Sequence, residues 1–317
     1  TGSNNTAVGR NALTSITTEN DGTAIGFEAL KSNTGGDFNT GIGVSALTTN
    51  TTGGYHTAIG WHALKANTTG SYNVAVGHQA LTANTTGERN VAVGDYNLYQ
   101  NTTGEFNTAI GHYTLIANTT GDDNTALGAY ALDAATTADG NTALGRSVLT
   151  TNTTGHSNVG VGCSALRVYT GSENTAVGYH AMYNTSTGGD SVAVGHKALF
   201  SNTTGNVMVA VGDAALYSNT DGWGNVAIGY LALQDNTSGD GNVAVGYKAL
   251  TDNTTADFNT AVGYSALMDN TTGTDNVAVG YKALENNTAG ARNTAVGDSA
   301  LNAQNANDNT AVGYNAL

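Results

Sequence analysis

Proline is absent from the 317 residues, and cysteine occurs once, at Cys163. With no proline and no Gly-X-Y period, the chain is neither collagen, a polyproline linker nor a mucin-like stalk. One thiol closes no internal disulfide, and no group of cysteines offers a metal site. Charge is scarce at 11% and lopsided, 24 acidic residues against 10 basic giving a net −14. That sign argues against nucleic acid and anionic membranes as partners, since both reward Lys and Arg. No apolar run nears the ~20 residues that cross a bilayer, so no membrane insertion is expected of this segment. Low charge with a regular apolar pattern also argues against disorder.

What fills the chain is Asn, Thr, Ala and 43 Gly, arranged in a repeat of 17 residues. Units begin at residues 5, 22, 39, 56, 73, 90, 107, 124, 141, 158, 174, 191, 208, 225, 242, 259, 276, 293 and 309. The spacing falls to 16 after 158 and after 293, and both deletions lie in the segment equivalent to Asn-Thr-Thr-Gly (168–171 and 303–306). A segment that tolerates lost residues is a loop. The half around Val-Ala-Val-Gly never loses one and is the scaffold.

Position 5 is Gly in all nineteen units, and position 4 is always Val, Ile or Leu. Position 9 is Leu except for Met182, positions 3 and 8 are mostly Ala, and position 2 is Thr or Val. Positions 2 to 4 read as a short strand, with 2 and 4 on one face and Ala on the other. The glycine at 5, represented by Gly77, Gly94, Gly229 and Gly246, fits a corner needing positive φ or close backbone approach. A second strand is expected over positions 7 to 10, burying the Leu at 9, and Asn-Thr-Thr-Gly has turn chemistry. So short a unit cannot bury its own face, and neighbours must stack.

The fold class is therefore all-β: a parallel β-solenoid, one continuous array over 1–317, of about nineteen 17-residue coils with two short strands each. At about 4.8 Å per coil the array would be a rod on the order of 90 Å long. A hexapeptide left-handed helix fails, because Val76 would need apolar partners at Thr82 and Glu88. Helical and leucine-rich repeats need longer units, and a calcium roll needs a Gly-Gly-x-Gly-x-Asp nonapeptide that is absent.

With large aliphatics only at positions 4 and 9, each coil buries too little to offset the entropy of ordering its residues. The expectation is a homo-oligomer whose chains share a core, approaching over the small Ala face at position 3. Position 1 is Asn in fifteen units, the exceptions being Gly22, His56, Ser191 and Met208, and stacked Asn side chains can bond along the axis.

The string Asn73 to Gly77 followed by Ala80, repeated in every unit, resembles the head repeat of YadA-type trimeric autotransporter adhesins and the shaft repeats of phage tail fibres. The resemblance implies a left-handed parallel β-roll assembled as a homotrimer, on a cell surface or virion. The family repeat usually has Ser where this chain has Ala80, and its coil is somewhat shorter, so its ligand binding is not carried over. The chain opens on Thr1-Gly2-Ser3-Asn4, the tail of a loop, and stops at position 9 of a unit, as a segment of a longer array would.

Position 6 forms an aromatic ladder of Tyr230, Tyr247, Tyr264 and Tyr281, with Trp61, Tyr179 and Tyr314 elsewhere, a candidate surface for sugar faces or a host receptor. Asn50, Asn67, Asn84, Asn101, Asn118, Asn152, Asn202, Asn236, Asn253 and Asn270 each begin an Asn-x-Thr/Ser acceptor for N-glycans, or else mark turns. Histidines and carboxylates are dispersed; His78 and His112 share position 6 but lie two coils apart, about 9.6 Å, too far to share a metal. No Ser or Thr has a fixed His or Asp partner, so no enzyme and no cofactor are expected.

The expected function is a non-catalytic structural fibre or adhesin shaft, extracellular, with copies of itself as partners in a homotrimer or fibre. The alternatives are a host-glycan or host-protein binding module using the Tyr ladder, and a glycan-coated filament subunit.

Overall fold

The computed structural model describes residues 2–303 and 305–317. Thr1 and Gln304, which fall in the first loop and the second shortened one, lie outside the described residues. Nineteen strands and no helix occur among the described residues, from Thr6–Val8 to Thr310–Val312. Each coil has one strand, at positions 2 to 4; it extends to five residues only at Val91–Asp95 and Thr108–His112.

The chain divides into two compact units, Thr1–Ser157 and Asn158–Leu317. Unit 1 holds nine strands and unit 2 ten, and within each the neighbours in sequence pair in parallel. Register never slips: Thr57, Ala58 and Ile59 lie against Val74, Ala75 and Val76, and Val243, Ala244 and Val245 against Thr260, Ala261 and Val262. Each unit is therefore a parallel β-solenoid, as the repeat requires.

The strand's period of two is as expected, but its sides are reversed. Alanine at position 3 points inward, wholly buried in Ala24, Ala58, Ala75 and Ala244. Positions 2 and 4 point outward, leaving Ile59 37%, Ile228 40% and Leu127 47% exposed. The reason is the narrowness of the coil. Gly41 occupies position 3 in one coil, and a Cβ there would already lie 3.2 Å from Leu30 Cγ. The leucine at position 9 fills the interior so completely that its opposite number is confined to Ala or Gly. The chain-to-chain face expected on Ala is thus spent inside, and the aliphatics at 4, expected inside, form an outer apolar stripe.

The second strand expected over positions 7 to 10 is not formed. Position 7 is left-handed in every coil (Lys248 φ 54°, Lys282 φ 53°), and so is position 9 (Leu250 φ 52°, Leu284 φ 53°). Strands need negative φ throughout. With the chain's hand alternating, its peptides bond to both the coil before and the coil after. Lys248 N–H donates to Tyr230 O at 2.9 Å, while Leu250 N–H donates to Ala266 O at 3.0 Å and Asp252 N–H to Met268 O at 3.0 Å. Left-handed leucine is costly by roughly 1–2 kcal/mol. These inter-coil bonds, together with burial of the side chain, hold it there.

Inside each regular coil lie positions 1, 3, 8, 9, 12 and 15: Asn, Ala, Ala, Leu, Asn and Gly. Three of these six are apolar side chains, two are amides and one is glycine. The amides are satisfied by running the bonds along the stack, as buried polar groups must be.

Candidate functional site

The Asn-x-Thr/Ser asparagines sit at position 12, and all ten are fully buried. Each Nδ2 donates across the turn to the carbonyl at position 15, as Asn67 does to Gly70 O at 3.0 Å and Asn236 to Gly239 O at 3.0 Å. In eight of the ten it also donates to the Asn one coil back, as Asn50 does to Asn33 Oδ1 at 2.8 Å, Asn84 to Asn67 Oδ1 at 2.8 Å and Asn270 to Asn253 Oδ1 at 3.0 Å; Ala135 precedes Asn152 and Thr185 precedes Asn202. A glycan on any of these nitrogens would remove donors from the core and has no path to solvent. The burial disfavours the glycan reading, and the bonds across the turn fit the turn reading, with an amide ladder that spacing alone does not reveal.

A second ladder runs through position 1. Asn73 Oδ1 accepts Asn90 N–H at 2.9 Å, and Asn73 Nδ2 donates to Gly87 O at 2.8 Å. In one coil His56 takes this place and serves both roles: its Nε2–H donates to Gly70 O at 2.8 Å, and its Nδ1 accepts Asn73 N–H at 3.2 Å. Burial pushes the imidazole down to about 4, with the two backbone bonds opposing. Glu19 is another substitution within the core, at position 15, where other coils have Gly or Ala. Its carboxylate occupies the space beside Gly22, where a Cβ would collide with it. Burial pushes Glu19 up to about 7, Asn33 opposing and the charge of Asp37 adding to it.

Gly77, Gly94, Gly229 and Gly246 turn the corner at φ between 127° and 142°, and a Cβ on any of them would run into the glycine carbonyl of the next coil.

Tyr230, Tyr247, Tyr264 and Tyr281 form the aromatic ladder on the surface, with centroids 5.2, 4.7 and 5.5 Å apart and interplanar angles of 16°, 10° and 23°. The coil spacing matches the thickness of an aromatic ring, so the rings stack on one another. Stacking on a sugar uses the same faces, and only the outermost remain free; to solvent the ladder presents edges and hydroxyls. Trp61 likewise stacks on His62 and His78 at 3.5 and 4.9 Å, and Tyr179 on His180 and His196 at 3.8 and 5.7 Å. Tyr314 stands exposed in the last coil.

Three further ladders stand at unit positions other than 6. Phe38, Tyr55 and Tyr72 stack at position 17, with Arg89 continuing the column 5.5 Å from Tyr72 and 5.2 Å from Phe106. Tyr183, Phe200 and Tyr217 stack at position 10, and Tyr96, Tyr113 and Tyr130 adjoin at position 7. The signal was present as aromatics at one unit position in consecutive units.

His78 and His112 are bridged by the coil between them: Asp95 Oδ1 lies 2.8 Å from His78 Nδ1, and Asp95 Oδ2 lies 3.6 Å from His112 Nε2. His196 pairs with Asp213 at 2.9 Å in the same manner. Among the described residues there is no pocket and no group of three His, Cys, Asp or Glu placed to hold a metal ion. In comparison with known proteins, no family model matches the chain and no curated protein matches it.

Proposed function

We propose that this chain is a non-catalytic structural segment of an extracellular surface fibre, a shaft built by homo-oligomers of the solenoid. The observation that carries this reading is the outer apolar stripe of positions 2 and 4, next to a core already filled by Ala, Leu and Asn. In unit 2 the stripe includes Val192, Val194, Ile228, Val262, Val277, Val279 and Val296, each at least 36% exposed. An in-register row of exposed aliphatics is a surface that marks an interaction site on a soluble chain. An identical face on a second or third chain matches it in pitch. The resemblance to trimeric adhesin and tail-fibre repeats points the same way and favours three copies, in a left-handed roll. Backbone bonds that run from coil to coil leave a protease little extended chain to grip, which suits a stiff, resistant rod carrying variable residues at positions 6, 7, 16 and 17. Host attachment through the Tyr ladder is the lesser reading, since the ring faces are already stacked.

The test is the native mass of the particle, by sedimentation equilibrium in high salt over a wide concentration range. A concentration-independent mass of three chains is the expected result. A single-chain mass would overturn the shared-face argument, and an open-ended series would make the chain a polymer subunit.

A further inference from the structure

A strip of unit 2 separate from the strand face changes sign along its length. Positions 7, 10 and 11 adjoin on the surface: His180 lies against Tyr183 at 4.4 Å, and Lys282 Nζ reaches Glu285 Oε1 at 3.0 Å. In the coils beginning at 158, 174 and 191 these positions carry Arg167, His180 and Lys197 and no carboxylate. Arg167 caps the stack of Tyr183, Phe200 and Tyr217, its guanidinium 5.6 Å from the Tyr183 ring and the rings 5.3 and 5.0 Å apart. In the coils beginning at 225, 242, 259 and 276 the same positions carry Asp235, Asp252, Asp269 and Glu285. The coil between, at 208, holds the uncharged Ala214, Tyr217 and Ser218.

The two halves carry opposite fields. Partial burial and then the charge of Asp235 hold the Asp252 carboxyl above the usual range; burial, then Asp252 and Glu285, do the same to Asp269. His180 is pushed down by burial and then by Lys197, Arg167 and His196.

We propose that two copies dock antiparallel through this strip, about a two-fold axis at the coil beginning at 208. A half-turn there exchanges coils equally far to either side. The coil at 191 meets that at 225, the coil at 174 meets that at 242, and the coil at 158 meets that at 259. Lys197 then faces Asp235 of the second copy, His180 faces Asp252 and Arg167 faces Asp269, and the two-fold makes every pairing twice. Opposite charge meets at the first and third steps, and at the second His180 meets the carboxylate of Asp252, whereas a parallel arrangement sets Lys197 and Arg167 against themselves. Lys248 lies across from His180, whose imidazole is pushed toward the neutral form by burial, and Lys282 is already tied to Glu285. The ring edges of Tyr183, Phe200 and Tyr217 add apolar area at the centre. The strip does not include the strand face, so the contact would join whole fibres side by side and does not depend on how chains associate within one.

The experiment is sedimentation velocity on the full chain at about 0.15 M and about 1 M salt, since screening weakens paired surface charges. The particle mass at low salt is expected to be at least twice that at high salt: twice where a particle presents one strip, and a larger multiple where, as in a trimer, it presents one per chain. Arg167→Glu with Lys197→Glu, or Asp235→Lys with Asp269→Lys, should each weaken the doubling at least ~10-fold. An equal mixture of the two variants should restore it, because each then offers the charges the other lacks. The uncharged pair Arg167→Gln and Lys197→Gln repeats the loss should a reversed-charge variant fold poorly. An unchanged mass across salt, or a mixture that stays undoubled, overturns the proposal. So does a basic strip that retains the chain on a sulfated polysaccharide while charge reversal leaves its mass alone, which would assign the strip to a polyanion.

Discussion

Two residues of unit 1 put ionisable groups where the regular coil keeps amide or glycine, and they have opposite signs. His56 is neutral when folded, with a value near 4 against an ordinary 6.5. Above pH 6.5 the ring is neutral folded or unfolded, and its contribution is complete. Below that the unfolded chain takes up a proton that the folded coil refuses, so stability falls between pH 6.5 and 4, by about 3 kcal/mol in all. His56→Asn restores the ladder residue and should abolish this acid-sensitive step; denaturant melts at pH 7 and pH 4.5 check it, and an unchanged difference between them sinks the assignment. Glu19 runs the other way. With a folded value near 7 against 4.5, its contribution is present below pH 4.5 and is lost as pH rises to 7. Glu19→Gln should therefore protect the first coils against hydrogen exchange at pH 8 and change little at pH 4, and equal protection at both values would refute it.

At the scale of the coil, the amide ladder at position 12 is interrupted once within unit 1, by Ala135, and the Asn118 Oδ1 before it is left buried without a hydrogen bond. Ala135→Asn would supply the missing donor. Where position 15 is Gly, the Oδ1 of this Asn lies close to where a Cβ would stand, as at Gly104 and Gly121, although Asn253 is accommodated beside Ala256; Ala138→Gly accompanies the change to match the commoner coil. The double substitution is expected to stabilise unit 1 by ~1–2 kcal/mol, the net worth of satisfying one buried acceptor. A lower urea midpoint than wild type would count against the ladder. This ladder also marks the limit of what the sequence made legible. The repeat fixed the coil boundaries, the strand at positions 2 to 4 and the corner glycine, because each follows from period and steric demand. It could not say which strand face is inside, since Ala and Val are both apolar and only the volume left beside Leu30 or Leu250 decides. Nor could it foresee left-handed leucines, because that choice answers to carbonyls one coil away. The asparagines of Asn-x-Thr were read from local motif chemistry, yet their partners lie 17 residues off.

For the whole molecule, the inward Ala and the outward Val of one strand make separable predictions about folding and assembly. Ala244 is wholly buried against the leucine side of the coil, and Ala244→Val adds two methyl groups where none fit. Overpacking of that kind costs roughly 1–3 kcal/mol, and should lower the melting temperature while leaving the native mass of the folded fraction unchanged. Val279 on the neighbouring outer column is 37% exposed. Val279→Lys together with Val262→Lys should leave the single coil intact and place two ammonium groups in the face proposed to be shared. Buried unpaired charge is costly there, so the particle should fall to single chains with its strand content retained. A net charge of −14 already resists assembly, and two added cations lessen that repulsion; a fall in mass therefore cannot come from general electrostatics and must come from the face itself. Assembly that survives both lysines would place the interface elsewhere. Loss of strand content in the lysine variant but not in Ala244→Val would reverse the assignment of inside and outside.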